Sequence, residues 1–310
     1  MKRSIWLFLL PLLFLGSSLN AQYYWDVGAR IGGSNYLGEM GGEDQPRRDF
    51  VYDLKMGQTS FLGGAFARYK FNSLFSLELN FNYARIQGAD SLSTYGPRRA
   101  RNLSFRNDIK ELSLKAQIFF YNVYDVGNTG RYILAFRSYA FAGIAGYHHS
   151  PKAYYKGEWH KLRPLKTEGQ SEPYPKFGFS IPKGVGLYFT YKKQYRFGWE
   201  FGWRTTFTDY LDDASTKYPK KSELESELAK ELYSRSEEVY SSSNSQDLPP
   251  RRNYTTAGSP RGDPSHNDSY LFTSVSFSYV FRGRSRFSQS RYSWLSRQRR
   301  LLQRKTRTKF

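Results

Sequence analysis

The chain has 310 residues, 18% of them aromatic, with 26 Tyr, 24 Phe, 26 Gly and no Cys. The absence of cysteine excludes a disulfide framework, a thiolate metal site, a cysteine nucleophile and lipid attachment through an N-terminal Cys. Lys and Arg number 47 against 27 Asp and Glu, a net charge of +20, which speaks for nucleic acid or an anionic surface only where the compartment supplies one.

At the N-terminus, Lys2 and Arg3 precede an apolar run from Ile5 to Leu15, and a small-residue stretch ends at Ala21. Residues 1–21 therefore read as a secretory signal peptide, too short in its apolar part to span a bilayer. No later run is long enough for a transmembrane helix, so any membrane span must be built from strands.

Alternation supports this. Phe75, Leu77, Leu79, Phe81 and Tyr83 share one parity, with Ser76, Glu78, Asn80 and Asn82 on the other. From Phe197 to Phe207 one face is almost wholly aromatic, while Arg196, Gly198, Glu200, Gly202 and Arg204 hold the other. An apolar face toward lipid and a narrow lumen of Gly, Ser, Arg and Glu give this two-faced pattern. Strands are predicted at Tyr24–Gly33, Ser60–Phe71, Leu74–Ile86, Ile109–Tyr121, Tyr132–Tyr147, Val185–Tyr191, Tyr195–Phe207 and Tyr270–Phe281. Their connections alternate long and short, as in up-and-down barrels with long extracellular loops and short periplasmic turns. The predicted fold is all-β: an eight-stranded up-and-down antiparallel transmembrane β-barrel over residues 22–281, with both termini periplasmic and a basic periplasmic tail at 282–310.

Barrels of this size are filled by side chains, and the inward parity supplies Arg30, Arg68, Glu78, Glu111, Lys115, Glu200 and Arg204 for a lumen ion network. In the last long loop, Ser222 with Glu225 opens a capping-box helix carrying Leu224, Leu228 and Leu232, and the stretch Ser241–Pro264 is expected to be mobile. Within that stretch, Arg261, Gly262 and Asp263 form a tripeptide too short to carry a function. Asp209, Asp212 and Asp213 are a weak candidate for a Ca²⁺ site, solvated carboxylates being the simpler expectation. His148, His149 or His160 beside Ser150 or Ser180 is the available pairing for a hydrolase or acyltransferase, and it lacks a third, orienting group. No enzyme activity and no cofactor are expected. The tail carries 11 Arg plus Lys and no acid. In a periplasmic setting its partners would be anionic lipid or an acidic protein surface rather than nucleic acid.

Three segments carry a family resemblance: YYWDVGARIGGSNYLG from Tyr23 to Gly38, FNYARIQGAD from Phe81 to Asp90, and GWRTTFTDYLDD from Gly202 to Asp213. They resemble the PorG family of small outer-membrane proteins in the type IX secretion and gliding machinery of Bacteroidetes. The resemblance implies a structural role, anchoring the periplasmic ring of the secretion machine to the outer membrane without a small-molecule substrate. Partner-binding candidates, chosen by expected periplasmic position, are Asn72, Ser73, Asp125, Asn128, Arg131, Lys192, Lys193, Arg282, Arg284 and Arg286. The alternatives are a general surface barrel of adhesin or stability type, with function in the outer loops, and a lipid-modifying barrel enzyme.

Overall fold

The computed structural model describes residues 25–40, 56–93, 95–128, 130–241 and 255–281. The predicted signal peptide and the basic tail, including Arg282, Arg284 and Arg286, lie outside the described residues.

Ten strands form: β1 (Trp25–Leu37), β2 (Ser60–Lys70), β3 (Phe75–Ala89), β4 (Ser104–Val123), β5 (Leu134–His148), β6 (Pro151–Tyr155), β7 (Glu158–Lys161), β8 (Phe177–Tyr191), β9 (Tyr195–Thr206) and β10 (Ser269–Phe281). Eight of them close on themselves, each antiparallel to its neighbours, in the order β1-β2-β3-β4-β5-β8-β9-β10 and back to β1. Closure leaves the wall without an edge, the condition for placing strands in lipid.

Period-2 patterning decides the sides. In β4, eight alternate residues from Phe105 to Phe119 are all buried, whereas Lys110, Leu112, Leu114, Ala116 and Ile118 face out. A bulge between Phe119 and Tyr121 then shifts the register with β5. The outward set includes Trp25, Val27, Ile31, Leu79, Phe81, Leu112, Ile118, Phe120, Phe197, Trp199, Val275 and Phe277, all exposed. An apolar exterior around a charged interior is the reverse of a water-soluble barrel and defines a membrane-spanning one. Where an inward glycine faces an inward tyrosine, the ring takes the missing side chain's place: Tyr139 is paired with Gly186 and Tyr147 with Gly178, and a Cβ on either glycine would lie 2.5 Å from the tyrosine hydroxyl.

Three connections, 71–74, 124–133 and 192–194, lie at one end of the barrel together with Trp25 and Phe281. The described parts of the long connections lie at the other end and fold into a cap that shares one core with Leu62, Ile86, Ile109, Tyr147 and Tyr270 of the barrel wall. Tyr36, Met40, Leu103, Phe105, Leu162, Leu211 and Leu232 pack there, with Leu228 against them. The cap contains α1 (Gly96–Arg101), α2 (Glu227–Leu232), α3 (Ser236–Tyr240) and the β6–β7 hairpin, which extends β4.

Several boundaries differ from expectation. The sixth barrel strand starts at Phe177 rather than Val185, because Pro182 lies inside it. Proline lacks the ladder donor, and the β5 pairing skips from Lys183 to Ser180 at that point. The long connection 148–184 contains the β6–β7 hairpin, which its sequence pattern does not announce. The helix expected from Ser222 forms only a 3₁₀ turn at Lys221–Glu223, and α2 is capped by Ser226, whose hydroxyl accepts the Ala229 N–H at 3.0 Å.

Candidate functional site

The lumen is filled by charge. Arg30 donates to Glu200 at 2.8 Å and to Glu78 at 2.6 Å, and Lys115 lies 3.0 Å from Glu78 and 2.6 Å from Glu200. Arg68 forks onto the other Glu78 oxygen at 2.6 and 2.8 Å and reaches Asp26 at 3.3 Å. Arg196 also pairs with Asp26. Nearer the cap, Arg204 lies 3.4 Å from Glu111, which accepts the Tyr270 hydroxyl at 2.8 Å. All seven side chains named for the lumen lie there; sequence reasoning missed Asp26 and Arg196. Both sit on the inward parity near strand ends, where the Arg68 pairing would have pointed to them.

Below this layer the rings of Phe119, Tyr139, Phe141 and Tyr188 pack together, with Arg68 and Arg196 over Tyr188 at 5.1 and 4.8 Å. Buried pairs of this kind hold one another's charge out of water, and an unpaired member would be costly. The layered ion pairs, aromatic rings and cap leave no open bore among the described residues.

The acidic segment after β9 divides. Asp213 is buried and accepts from Thr167 at 2.5 Å, Tyr174 at 2.7 Å and Arg261 at 3.3 Å. The Tyr36 hydroxyl lies between two carboxylates, 2.8 Å from Asp212 and 2.5 Å from Asp268. Both oxygens of Asp209 are buried without a hydrogen-bond partner. These are therefore buried groups rather than solvated ones, and no three His, Cys, Asp or Glu among the described residues are arranged to hold a metal ion. Burial, then the neighbouring Asp268, Asp212 and Glu39, push Asp209 up to about 10. Burial, with Glu39 beside it, raises Asp212 to about 7, and burial raises Glu39 to about 7 against the pull of Arg101. Arg101 itself is held by Asp90 at 2.7 and 2.9 Å.

Arg261 is not displayed. It is 2% exposed, lies 3.1 Å from Glu168, bonds the Asp213 carbonyl and carboxylate, and donates to the Tyr233 carbonyl at 3.2 Å. The expected mobility of 241–264 thus fails around Arg261, which pins α2 to the segment after β9. The part of that stretch at 242–254 lies outside the described residues.

His148, His149 and His160 do not assemble with a serine; the exposed His266 meets Ser265 and Asp263, each at 2.8 Å, within one surface turn. His148 faces out and packs on Phe177, whereas Ser180 faces the lumen and meets the Tyr270 hydroxyl at 3.3 Å. His149 stacks on Tyr174, bonds the Pro175 carbonyl at 3.0 Å and is pushed down to about 4 by burial. The Ser150 N–H bonds Asn107, and His160 lies by Tyr155.

At the short-turn end, Asn72, Ser73, Asn128, Arg131, Lys192 and Lys193 are exposed and Asp125 is half-buried. Asn72 Oδ1 accepts the N–H groups of Leu74 and Phe75 at 2.8 and 2.7 Å, and Asp125 accepts that of Gly130 at 2.6 Å, so both shape their turns. Lys192 and Lys193 are both left-handed, with φ of 48° and 59°. The β8–β9 hairpin turn requires that conformation, which Asn-Gly would adopt at less cost.

A closed wall, an apolar exterior and a packed polar lumen define the class: a small eight-stranded barrel of outer-membrane type. The chain belongs to the family described as a domain of unknown function (DUF6089), which matches residues 3–244. No curated protein matches it in sequence. Among solved structures it is similar to OprG of Pseudomonas aeruginosa, at 11% identity over 86% of this chain and 100% of that one, with a TM-score of 0.37. It is also similar to the N-terminal barrel domain of Pseudomonas aeruginosa OprF (10% identity, 83% and 97% covered, TM-score 0.32). Ail, the attachment invasion locus protein of Yersinia pestis, matches at 11% identity, 83% and 99% coverage and a TM-score of 0.33. No role is carried over from these likenesses; the barrel assignment rests on the strand pairing described above.

Proposed function

We propose that this protein is a non-catalytic outer-membrane component of the type IX secretion machinery, fixing the periplasmic ring complex to the membrane. The observation that carries the proposal is the filled lumen. A bore occupied by the Arg30–Glu78–Lys115–Glu200 pairs and closed by a folded cap gives no passage to cargo, so a role in secretion falls to the barrel as an anchor. The resemblance of Tyr23–Gly38, Phe81–Asp90 and Gly202–Asp213 to PorG names the machine. In this reading the short-turn end and both termini face the periplasm, and Asn128, Arg131, Lys192 and Lys193 meet the ring.

The test is site-specific photo-crosslinking in cells at positions 128, 131, 192 and 193. Adducts with periplasmic ring proteins are expected there and not at positions 156 and 221 on the cap. Adducts from the cap positions alone would favour the surface-barrel reading, in which the folded cap is the working part.

A further inference from the structure

The lipid-facing belt does not end at one level around the barrel. On β3 and β4 the outward apolar residues stop at Tyr83 and Leu112, and the next outward positions are Arg85, Lys110, Asp108 and Arg106. On β8 the outward face continues through Val185, Lys183, Ile181, Phe179 and Phe177. At ~3.3 Å per residue and ~40° tilt, Phe177 stands roughly 35 Å above Tyr191, while a barrel's apolar band is ~25 Å tall. Phe179 and Phe177 therefore project beyond the hydrocarbon, and they are bare, at 75% and 74% exposed against 38% for Phe189 within the belt. Ile144 on the neighbouring strand, 70% exposed, joins them to the belt.

The charges around this strip differ from those beside it. On the β3–β4–β6 face, Asp108 neutralises its neighbours, with Arg85 at 2.8 Å, Lys152 at 3.3 Å and Arg106 at 3.8 Å. On the β5–β8 face, Lys110 is register-paired to His148, and His148 to Phe177, so Lys110 borders the strip. Lys176 precedes Phe177, and Lys183 lies at the lower end, opposite Trp203. No carboxylate pairs with Lys110, Lys176 or Lys183 among the described residues. The strip is thus an apolar surface continuous with the lipid contact and flanked by uncompensated cations, Lys110 and Lys176 at headgroup depth and Lys183 within the belt below them.

We infer that the β5–β8 face at the long-loop end binds a phosphorylated membrane lipid, with acyl chains along Ile144, Ile181 and Phe179 and a phosphate between Lys110 and Lys176. Continuity with the belt favours a lipid over a protein occupant, and the unpaired lysines favour an anionic one. Phe177 and His148 form the floor under the headgroup, their rings 5.1 Å apart.

The experiment is native mass spectrometry of the full chain released from detergent. The probes are bis-phosphorylated lipid A, the same lipid after enzymatic dephosphorylation, and phosphatidylethanolamine. Retention of the phosphorylated form is expected to exceed both controls by tenfold or more. A Lys110→Gln/Lys176→Gln variant should lose that preference, at about fivefold per lysine. Phe177→Ser/Phe179→Ser should weaken retention of all three probes without altering the phosphate preference. Both pairs face out, and unchanged heat-modifiable gel mobility identifies variants that have folded. Equal retention of phosphorylated and dephosphorylated probes overturns the inference. So does an unaltered preference in the lysine variant, or a chain that self-associates through the strip in place of binding lipid.

Discussion

Replacing Glu78 with Gln tests whether the lumen is as dry as its packing implies. Glu78 is fully buried and faces three cations, Arg30 and Arg68 at 2.6 Å and Lys115 at 3.0 Å, with the Gln117 amide at 2.9 Å. With charge centres roughly 4 Å apart and an effective dielectric constant of about 20, each pair contributes about 4 kcal/mol of attraction before desolvation is subtracted. Glutamine keeps the shape and removes the charge, so Arg30 and Lys115 are left to share Glu200 and Arg68 falls back on Asp26. A net loss of about 3–5 kcal/mol is expected, the usual consequence of removing one partner from a buried network. Adding Lys115→Met removes the surplus cation, so the double variant should recover roughly 1–3 kcal/mol relative to the sum of the single variants. The assay is a urea titration in lipid vesicles, following the folded fraction by gel mobility without heating. A loss below about 1 kcal/mol for Glu78→Gln, with no coupling to Lys115, would refute the argument and mean that water reaches these pairs.

Arg261→Met leaves Glu168 and Asp213 buried without their cation. It should open the cap to protease while the barrel, held by its closed strand ladder, keeps its heat-modifiable mobility; loss of barrel and cap together would show that the core they share binds them into one unit. The cluster of Glu39, Asp209 and Asp212 gives the cap a pH dependence of defined sign. Their folded values of about 7, 10 and 7 lie above the ordinary carboxylate range, so the folded cap holds more protons than the unfolded one. The contribution of these three groups therefore falls as pH rises from about 4 toward 7, by about 1 kcal/mol per pH unit per titrating group, with Asp209 extending the fall to about 10; the lowered His149 offsets one group's share below about 6.5. After correction for base-catalysed intrinsic exchange, the protection of Leu211 and Ala214 should be lower at pH 8 than at pH 5, and Asp209→Asn should reduce the difference; a reversed order sinks the assignment. In planar bilayers the purified chain should show no lasting conductance of porin size, and stable large channels would show that the plug opens.

Period-2 alternation made the wall legible in advance, because lipid on one side and a narrow polar lumen on the other leave each strand a two-letter pattern. It failed at Pro182 and Lys183, where the outward parity is interrupted by a cation and the ladder by a missing donor, so β8 was read eight residues short. The seven lumen charges were visible because a charge on the inward parity has nowhere else to go; the same rule applies to Asp26 and Arg196, whose places near strand ends hid them. The cap was not visible, since its order comes from long-range pairs that no local pattern encodes. Arg261 meets Glu168 across 93 residues of chain, and Tyr36 meets Asp268 across 232. The Asp209–Asp213 segment looked like a surface cluster for the same reason: its partners come from the end of β1 (Tyr36) and from two distant connections (Tyr174 and Arg261).

The proposed anchoring role is tested most directly by deleting the gene and following type IX cargo in the same strain. The account predicts that cargo accumulates in the periplasm while other outer-membrane proteins keep normal levels. It further predicts that a wild-type copy restores surface delivery and a copy altered at Asn128, Arg131, Lys192 and Lys193 does not. Undiminished cargo at the surface of the deletion strain would contradict it.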